Sequence, residues 1–451
     1  MATTYLSKTQ IAGTSTRKMT ISAWVKIADP SVAYAAGAIW SMGSDSSNFI
    51  ELQFNDANRL ELRAKNGGSY VLRKATNAVY RDVGAWYHIV VGIDSDQVSG
   101  PDRNKIYING VQYAGTWDTD TDATVNTDFK MNSTSEDARC GRDYMSGAAA
   151  YFDGDMAHVH YIDGTQYAAS DFGEIDSTSG IWIAKTSPSV TYGNNGGFYK
   201  FASGALGTDS SGEGNTMAVT GTMTTTKDNP DNNFCTMNVL ENYFPNMTYT
   251  QGNNTIKSDH PAPAVGTIGL ASGKWYWEGK AITSTSGNDW HFGISSNQVT
   301  AISNELGHFS DDWAYRGVDG DYRTGNANTA YGDTYTAGDI IGVALDLTNN
   351  KLYFSKDGVW QNSGVPTSGA TGTGAISITA PSSTPLGAYF VAAGADASAN
   401  DYTWSMNFGN GYFGTTSHGE TNADDAGIGL FKYDVPAGYY AICTNNLGDQ
   451  S

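Results

Sequence analysis

Apolar and polar residues alternate with a period of two along much of the chain, which is the pattern of β-strands with one buried face. In residues 19–27, MTISAWVKI, every second side chain from Met19 to Ile27 is apolar. The same alternation returns in short runs between polar turns, most clearly in residues 49–54, 87–93, 156–162, 273–282, 290–294, 339–347 and 402–408. Because helical periodicity is almost absent, we predict an all-β protein.

Turn chemistry joins several of these runs into hairpins. Asn109-Gly110 separates the β-rich runs KIYI and VQY, and an Asn-Gly pair is a strong short-range hairpin signal. Polar turns at residues 55–58 and 348–350 separate two further pairs of runs. We therefore expect antiparallel pairing of the strands.

The strand pattern is strong in residues 1–168 and 261–451, and it weakens in residues 169–260. The weak stretch is rich in Gly, Asn, Ser, Thr and Asp, but it carries aromatic side chains, which free Gly/Ser linkers rarely do. These aromatic residues include Trp182, Tyr192, Phe198, Tyr199 and Phe201. We predict two antiparallel β-sandwich (jelly-roll) domains joined by an extended connector with short strands of its own.

The charge balance argues against one class of ligand. The 451 residues include 26 Lys plus Arg and 46 Asp plus Glu, a formal net charge of −20. Nucleic-acid interfaces need clustered basic residues to neutralise phosphates, and anionic membrane surfaces attract basic segments. We therefore expect no nucleic-acid partner, and we expect no membrane insertion because no run of ~18 apolar residues is present.

The first residues lack a basic segment followed by an apolar run, so we expect no signal peptide and synthesis in a cytoplasm. A protein of this kind that acts outside the cell would leave it by another route. Cys140, Cys235 and Cys443 form no regular spacing, and we interpret them as buried thiols rather than a disulfide framework.

Motifs of the first strand-rich region resemble the laminin G-like, concanavalin A-like lectin fold. They are residues 20–25 (TISAWV), 86–91 (WYHIVV), 106–110 (IYING) and 152–159 (FDGDMAHV). Motifs of the second strand-rich region resemble a SPRY domain. They are residues 273–278 (GKWYWE), 291–294 (HFGI), 338–346 (GDIIGVALD) and 352–358 (LYFSKDG).

The order of these motifs resembles a family of tailed-bacteriophage proteins, common in marine phages, that join a lectin-like domain to a SPRY domain. The motifs between and after the domains include residues 171–174 (DFGE), 197–201 (GFYKF), 232–238 (NNFCTMN) and 436–439 (PAGY). The resemblance implies a virion component, in the form of a fibre, a tail-associated protein or a head decoration. It also implies assembly in the host cytoplasm and release by lysis, which fits the expected absence of a signal peptide.

No residue pattern makes a convincing catalytic site. Retaining glycosidases need two carboxylates that flank one glycosidic bond at about 5–5.5 Å. Glu174 and Asp176 have the i, i+2 spacing of one strand face, but a third carboxylate is missing and residues 177–180 predict a turn. His158 and His160 have the same spacing without a third zinc ligand. We therefore predict a protein that is not an enzyme.

Two acidic loops are candidates for calcium, a hard cation that takes about six to eight oxygen ligands. The candidate ligands are Asp94, Asp96, Asp118, Asp120 and Asp122. The alternative is that both loops are simply solvated, which is commonplace in a chain with a net charge of −20. No other cofactor is indicated.

Sugar binding needs exposed aromatic planes beside amides and carboxylates, because apolar sugar faces stack on rings while sugar hydroxyls form hydrogen bonds. One such ring lies in the second acidic loop, and resemblance to the variable partner-binding loops of SPRY domains adds four more. The candidate glycan- or partner-binding residues are Trp117, Trp313, Tyr315, Tyr322 and Tyr331. The alternative is that these rings cover the core or meet a neighbouring subunit.

Three hypotheses for function follow. The first is a non-enzymatic phage virion protein that binds host-surface glycans through its lectin-like domains. The second is a purely structural decoration or adaptor subunit that binds only other virion proteins. The third is a glycan depolymerase, which would require a carboxylate pair at hydrolase spacing in a groove. The sequence contains no heptad repeat of the kind that forms a trimeric stalk. The oligomeric state therefore stays open, and a homo-oligomer is one of the alternatives.

Overall fold

The computed structural model describes residues 3–30, 37–134, 136–144, 150–241, 247–285, 287, 290–298, 301, 303–396 and 401–450. The chain forms two compact units, one of Met1–Thr225 with Asn229–Asp231 and the other of Thr226–Asp228 with Asn232–Ser451. Both are built almost entirely from antiparallel sheets, which confirms the predicted all-β fold. No helix in these ranges is long and apolar enough to cross a membrane.

The described strands of the first unit are β1 (Tyr5–Thr9), β2 (Lys18–Ile27), β3 (Ala38–Asp45), β4 (Asn48–Phe54), β5 (Leu60–Asn66), β6 (Ser69–Thr76), β7 (Tyr87–Asp94), β8 (Asn104–Ile108), β9 (Val111–Gln112), β10 (Trp117–Thr121), β11 (Asp137–Cys140), β12 (Gly154–Asp163), β13 (Gly173–Ile175), β14 (Trp182–Ala184), β15 (Gly197–Tyr199) and β16 (Ala218–Thr220). Its helical segments are α1 (Gly100–Arg103) and a 3₁₀ turn at Ala169–Asp171. One sheet has the order β10-β6-β5-β4-β3-β11-β1-β16, and the other has the order β15-β12-β2-β7-β8-β9. Strands β13 and β14 pair with each other.

The core of the first unit lies between the eight-stranded and six-stranded sheets. Strand β2 contributes the alternating apolar residues from Met19 to Ile27, as the sequence pattern predicts. The eight-stranded sheet contributes residues such as Trp40, Leu52 and Leu62. Each large apolar side chain buried in this way stabilises the fold by about 1.5–3 kcal/mol.

The outer faces of the two sheets differ in chemistry. The six-stranded sheet presents Val90 and Ile162 outward, and the chain after β12 covers them with Phe172 and Phe198. The eight-stranded sheet instead carries charged and polar side chains on its outer face. The outer face of the eight-stranded sheet is therefore the candidate ligand-binding face of the first unit.

The predicted Asn109-Gly110 turn joins β8 to β9. Asn109 has φ of 47° and Gly110 has φ of 82°, and a two-residue hairpin turn with positive φ at both positions favours this pair. A Cβ atom on Gly110 would lie 2.6 Å from the ring of Trp182. Both the backbone angle and this close contact therefore require glycine.

The described strands of the second unit are β17 (Thr248–Thr250), β18 (Thr255–Ser258), β19 (Ala264–Val265), β20 (Lys274–Ser284), β21 (Trp290–Ser295), β22 (Asp312–Arg316), β23 (Asp321–Thr324), β24 (Ala327–Ala330), β25 (Ile340–Asp346), β26 (Lys351–Lys356), β27 (Val359–Trp360), β28 (Ile376–Ser377), β29 (Phe390–Ala395), β30 (Tyr402–Asn407), β31 (Tyr412–Phe413), β32 (Thr416–Ser417), β33 (Asn422–Ala423), β34 (Leu430–Phe431) and β35 (Tyr440–Ala441). Its helix is α2 (Thr444–Asp449), and 3₁₀ turns lie at Val239–Glu241, Gln361–Ser363, Pro366–Thr371 and Pro381–Ser383.

Two sheets form the body of the second unit. The larger has the order β17-β18-β30-β20-β25-β26-β27, with β28 beside β26 and β35 beside β20, and the smaller has the order β19-β29-β21-β22-β23-β24. Trp275, Trp277 and Trp404 are fully buried, and Trp404 stacks on Phe292 with ring centroids 4.8 Å apart. Trp275 and Trp277 are therefore packing residues of the second unit.

The stretch predicted as a connector, residues 169–260, is divided between the units. Its strands β15 and β16 pair with β12 and β1 of the first unit, while β18 pairs with β30 of the second. The first unit therefore extends to Thr225, beyond the predicted boundary at residue 168, and the second starts before residue 261. The physical reason is that these short strands supply hydrogen-bond partners to strands that would otherwise lie at sheet edges.

Candidate ligand-binding face of the first unit

The outer face of the eight-stranded sheet is built by strict alternation along the hairpin of β4 and β5. Leu52 and Leu62 point into the core, so their neighbours in sequence point outward. The strand register pairs Glu51 with Arg63 and Gln53 with Glu61. Two carboxylates, one guanidinium and one amide therefore meet on one face.

These four side chains form a connected set of hydrogen bonds. Arg63 donates through Nε and Nη2 to Oε1 of Glu51, at 2.9 and 2.5 Å, and through Nη2 to Oε1 of Gln53 at 3.1 Å. Gln53 donates through Nε2 to Oε2 of Glu61 at 2.7 Å, and Arg73 donates through Nε to Oε1 of Glu61, also at 2.7 Å. We call these five residues the outer-face cluster.

Burial sets the electrostatics of the outer-face cluster. Glu51 and Glu61 are each only 1% exposed. Burial raises the pKa of Glu51, while the charge and hydrogen bonds of Arg63 act to lower it. Because both carboxylates are buried and engaged by arginine side chains, they are not the separated acid and nucleophile of a glycosidase, and they fix the polar framework of this face.

The same face continues to the other end of the sheet, where β1 pairs with β11 and β16. A cavity of about 350 Å³ lies there, lined by Ser7, Lys8, Thr9, Asp137, Thr216 and Ala218. Thr9 donates through Oγ1 to Oδ1 of Asp137 at 2.9 Å. Nearby, the guanidinium of Arg142 lies 4.8 Å from the ring centroid of Tyr5 and 5.6 Å from that of Tyr151. Hydroxyls, a carboxylate and rings on one face match the chemistry of a sugar.

The predicted acidic loop that contains Asp118, Asp120 and Asp122 is mostly strand β10, and its carboxylates are paired with basic side chains. Asp118 forms an ion pair with Arg59, and both Asp120 and Asp122 form ion pairs with Lys74. The sequence could not show this arrangement, because the basic partners precede the carboxylates by more than forty positions. The loop is therefore not the exposed set of unpaired oxygens that calcium coordination would favour.

The other acidic loop is also paired with basic side chains. Lys18 Nζ lies 3.4 Å from Oδ1 of Asp94 and 3.2 Å from Oδ2 of Asp96, and Arg17 Nη1 lies 3.4 Å from Oδ1 of Asp96. Asp94 also accepts a hydrogen bond from Nε2 of Gln97 at 2.8 Å. In both predicted calcium sites, lysine and arginine side chains thus form ion pairs with the aspartates.

Calcium is therefore expected to leave the stability of the protein unchanged. We expect the Tm in excess CaCl₂ and in EDTA to differ by less than about 1 °C, because a ligand stabilises only by binding the folded state. Differential scanning calorimetry of the full chain measures this. The control is Lys74→Met, which removes the cation from Asp120 and Asp122. A Tm of the unaltered protein that rises with calcium concentration would restore the calcium hypothesis.

Within the described part of the chain, one group of His, Asp and Glu side chains brings three potential metal ligands within 4.8 Å of one another, namely His291, Glu305 and Asp396. Two guanidinium groups already lie among them. Arg316 donates to Nε2 of His291 at 3.2 Å and to Asp396 at 2.9 Å, and Arg323 pairs with Glu305 at 2.5 Å. We therefore interpret this group as an ion-pair cluster of the second unit rather than as a metal centre.

Two of the five predicted aromatic binding residues are partly exposed. Trp117 packs against Tyr113 with ring centroids 4.8 Å apart, and Lys74 Nζ lies 4.4 Å from its ring centroid. Tyr322 contacts the edge of Tyr331 at a centroid distance of 6.0 Å. A binding role for Trp117 and Tyr322 stays a prediction.

The prediction that Trp313, Tyr315 and Tyr331 present exposed rings is wrong. Trp313 is 4% exposed and packs on Tyr389, and Tyr315 is fully buried against Phe354. Tyr331 is also buried, and its hydroxyl accepts a hydrogen bond from the backbone N–H of Phe354. The segment that resembled a variable loop is strand β22, and its aromatic residues fill the core, as the alternative interpretation held.

The structure also shows the arrangement of the candidate carboxylate pair, Glu174 and Asp176, and of the candidate histidine pair, His158 and His160. Asp176 accepts hydrogen bonds from the backbone N–H and the hydroxyl of Ser179, which confirms the predicted turn. A β-bulge between Ala157 and His160 interrupts β12, and His158 there has φ of 46°. The regular i, i+2 alignment of His158 and His160 is therefore lost, and His160 stacks on Phe198 at 3.9 Å.

The outer-face cluster is not among the residues predicted from the sequence. A signal was present, because the predicted hairpin of residues 49–62 reads FIELQF and RLEL, with Glu51 and Glu61 at alternate positions to leucine. Such residues are normally interpreted as a solvated face. Only the register of β4 and β5 shows that Arg63 and Gln53 bring the two carboxylates together.

Comparison with known proteins follows the same division of the chain. Residues 2–169 match the laminin G-type family model described as the concanavalin A-like lectin/glucanases superfamily, and residues 274–382 match the SPRY domain model. Ran-binding protein 9 of Xenopus tropicalis is 33% identical over 106 residues, which cover 23% of this chain and 18% of that protein. Ran-binding protein 10 of Danio rerio is 31% identical over 106 residues, which cover 23% and 16%. Each match spans less than a fifth of the relative's length.

Solved structures are similar to this chain only at low identity. The SPRY domain of human HERC1 is 16% identical with a TM-score of 0.27, and the alignment covers 36% of this chain and 91% of that one. Stonustoxin is also 16% identical, with a TM-score of 0.28 and coverage of 38% and 27%. From the sequence motifs, the all-β fold and the two matched family models, we conclude that the chain combines a concanavalin A-like lectin domain with a SPRY domain, two kinds of module that typically mediate binding rather than catalysis.

Proposed function

We propose that this chain is a non-enzymatic virion protein of a tailed bacteriophage, present as a fibre, a tail-associated protein or a head decoration. The order of its lectin-like, connecting and SPRY motifs supports this proposal. The protein would be assembled in the host cytoplasm and then act on the virion. Its first unit would attach to glycans on the host surface.

The observation that carries the glycan proposal is the outer face of the eight-stranded sheet. Glu51, Gln53 and Arg63 are buried and fixed by mutual hydrogen bonds, and through Glu61 this framework holds the partly exposed Arg73 in place on the same face. The cavity beside Ser7 and Thr9 adds hydroxyl groups on the same sheet. Fixed polar groups with few rotamers to lose are suited to sugar hydroxyls, which both donate and accept hydrogen bonds.

The second unit is proposed to bind a protein rather than a glycan. Burial of Trp313, Tyr315 and Tyr331 removes three of the rings on which a glycan site there would depend. The curated relatives that match this unit are named for binding Ran, a protein. By analogy, we propose another virion protein as the partner of the second unit.

The fixed polar outer face of the first unit also supports a second candidate function, in which both units bind only other virion proteins. In that case the chain is a purely structural decoration or adaptor subunit. The two candidates differ in what the outer face of the first unit contacts. A cell-binding experiment therefore separates them.

We expect purified full-length protein to bind whole host cells saturably, as measured by flow cytometry with a fluorescent label. Periodate oxidation of the cell-surface glycans should lower binding by at least about tenfold, whereas protease treatment of the cells should not. Ser7→Arg, which fills the cavity with a large side chain, should lower binding, and the exposed Ser99→Arg is the matched control. An arm with EDTA shows whether binding needs a metal.

The opposite result has a clear meaning. If the protein does not bind any candidate host cell but docks onto particles that lack it, the purely structural function replaces the glycan proposal. If binding survives periodate but not protease, the host receptor is a protein.

A further inference from the structure

A small cationic patch lies at one end of the outer face, where β5 meets β6. The register places Lys65 opposite Tyr70 and Arg63 opposite Arg73. Lys65 Nζ lies 4.6 Å from the ring centroid of Tyr70, and Cζ of Arg73 lies 5.0 Å from it. Tyr70 is 37% exposed and the side chain of Arg73 is 39% exposed, so the patch is accessible to a ligand. We call Lys65, Tyr70 and Arg73 the cationic patch.

The two cations are held in place but not neutralised at the surface. The carboxylate that engages Arg73 is that of Glu61, which is buried and contacts Nε rather than the terminal nitrogens. In the described part of the chain, no carboxylate oxygen lies within 4.0 Å of Lys65 Nζ. The ring of Tyr70 restrains both cations through cation–π contacts, which lowers the entropy that they would lose on binding an anion.

The charge count around the patch supports an anionic ligand. Arg63, Lys65 and Arg73 contribute three positive charges, and the buried Glu51 and Glu61 contribute two negative charges, which leaves a net charge of +1. The whole chain has a net charge of −20. The patch is therefore a locally positive surface on a strongly negative protein.

Because the rest of the chain is strongly negative, the ligand of the cationic patch is expected to carry few negative charges. A dense polyanion such as nucleic acid or heavily sulfated glycan would be repelled by the rest of the protein, and two partly exposed cations cannot neutralise it. One carboxylate matches the patch, because Arg73 and Lys65 can each donate to it. Neighbouring uncharged sugars would meet hydroxyl groups, such as that of the exposed Thr121, which lies opposite Arg73 on β10.

We propose that the cationic patch binds the carboxylate of an acidic glycan in which charged and uncharged sugars alternate. This inference rests on the proposed function, since it names the class of glycan that the first unit recognises. Tyr70 acts as a positioning residue for the two cations, and Arg73 and Lys65 contact the carboxylate directly.

The test uses full-length protein and three probes: hyaluronan oligosaccharides with one carboxylate in each disaccharide, uncharged dextran oligosaccharides, and heparin with dense sulfation. Isothermal titration calorimetry should detect binding of hyaluronan oligosaccharides alone. Arg73→Gln and Lys65→Gln should each lower that affinity by about tenfold to a hundredfold, the usual effect of losing a charge-assisted hydrogen bond. Arg81→Gln, at an exposed arginine of the same unit, is the matched control and should leave the affinity unchanged.

The variants are also tested on whole host cells, which separates this inference from the proposed function. If the unaltered protein binds cells, the variants bind equally well, and hyaluronan oligosaccharides neither bind nor compete, the cationic patch is not the recognition site although the proposed function stands. If the unaltered protein does not bind cells, the proposed function itself fails.

Tighter binding of heparin than of hyaluronan would overturn the single-carboxylate inference. Lys65→Gln keeps the test valid if loss of the Arg73–Glu61 pair disturbs folding, because Lys65 has no such buried partner.

Discussion

Replacing Glu278 with alanine is expected to destabilise the second unit by about 3–5 kcal/mol. Glu278 is fully buried in β20, and its carboxylate accepts four hydrogen bonds. Two come from the side chains of Tyr276 and Asn407, both at 3.1 Å, and two from the backbone N–H groups of Lys432 and Tyr433, both at 2.9 Å. The carboxylate thus ties the C-terminal segment to the larger sheet.

The size of the effect follows from what alanine leaves behind. Each buried donor without an acceptor costs about 1–3 kcal/mol, and alanine leaves four of them. Water can enter the space and satisfy some of the donors, which is why the expected total is lower than the simple sum. Glu278→Gln retains one carbonyl oxygen as an acceptor, so its effect should be smaller, about 1–3 kcal/mol.

Denaturant unfolding of the full chain, with hydrogen exchange measured on peptides of β20 and of Lys432–Tyr433, provides the test. The matched control is Glu420→Ala, because Glu420 is half exposed and makes an ion pair with Lys432 Nζ at 3.0 Å. This control should change stability by less than about 0.5 kcal/mol. Equal effects of the two alanine variants would show that the buried carboxylate does not anchor the C-terminal segment.

The fold could be predicted from the sequence because strand alternation is a local signal. The run from Met19 to Ile27 and the Asn109-Gly110 turn each carry their structure within a few residues. The pairing of the strands in the predicted connector is not a local signal, since short strands such as β15 and β16 gain stability only from sheets formed by distant segments. Propensity within residues 169–260 could not show which sheet each strand joins.

The candidate site depended on contacts between distant residues, and for this reason it could be predicted only in part. Asp120 and Lys74 illustrate one limit, because an acidic segment resembles a calcium site until the positions of its basic partners are known. Trp313 illustrates another, since a five-residue strand flanked by polar turns has the composition of an exposed loop. Glu51 shows the converse, a charged residue of ordinary appearance whose burial and pairing with Arg63 are set only by the register of the folded sheet.

Lowering the pH from 6.5 towards 3 is expected to destabilise the first unit steeply. Burial, together with the nearby His158, lowers the pKa of His88 from its ordinary value of 6.5 to about 3. Burial, with smaller contributions from His158, His88 and Lys200, also lowers the pKa of His160. Within this range the unfolded chain binds protons that the folded chain does not, so stability is complete above pH 6.5 and is lost as the pH falls.

The geometry of His88 explains why its neutral form is required. Its Nδ1 accepts a hydrogen bond from Nε1 of Trp182 at 2.9 Å, so the proton of the neutral ring lies on Nε2, which is 2.9 Å from Oγ of Ser22. A second proton on Nδ1 would face the indole N–H and break that bond. Trp24 stacks on the imidazole at a centroid distance of 4.7 Å and shields it from water, which would otherwise stabilise the charge.

Each such histidine should lower the free energy of unfolding by about 1.4 kcal/mol for each pH unit below 6.5. His88→Asn provides the test, because its amide oxygen can accept the Trp182 hydrogen bond and the side chain cannot gain a proton. The variant should be less stable at pH 7.5, but its pH slope, measured by denaturant unfolding with hydrogen exchange on β7 peptides, should be smaller by about one proton. His308→Asn, in the second unit, is the control and should leave the slope of the first unit unchanged. If His88→Asn retains the full slope, the acid sensitivity of the first unit arises from groups other than His88.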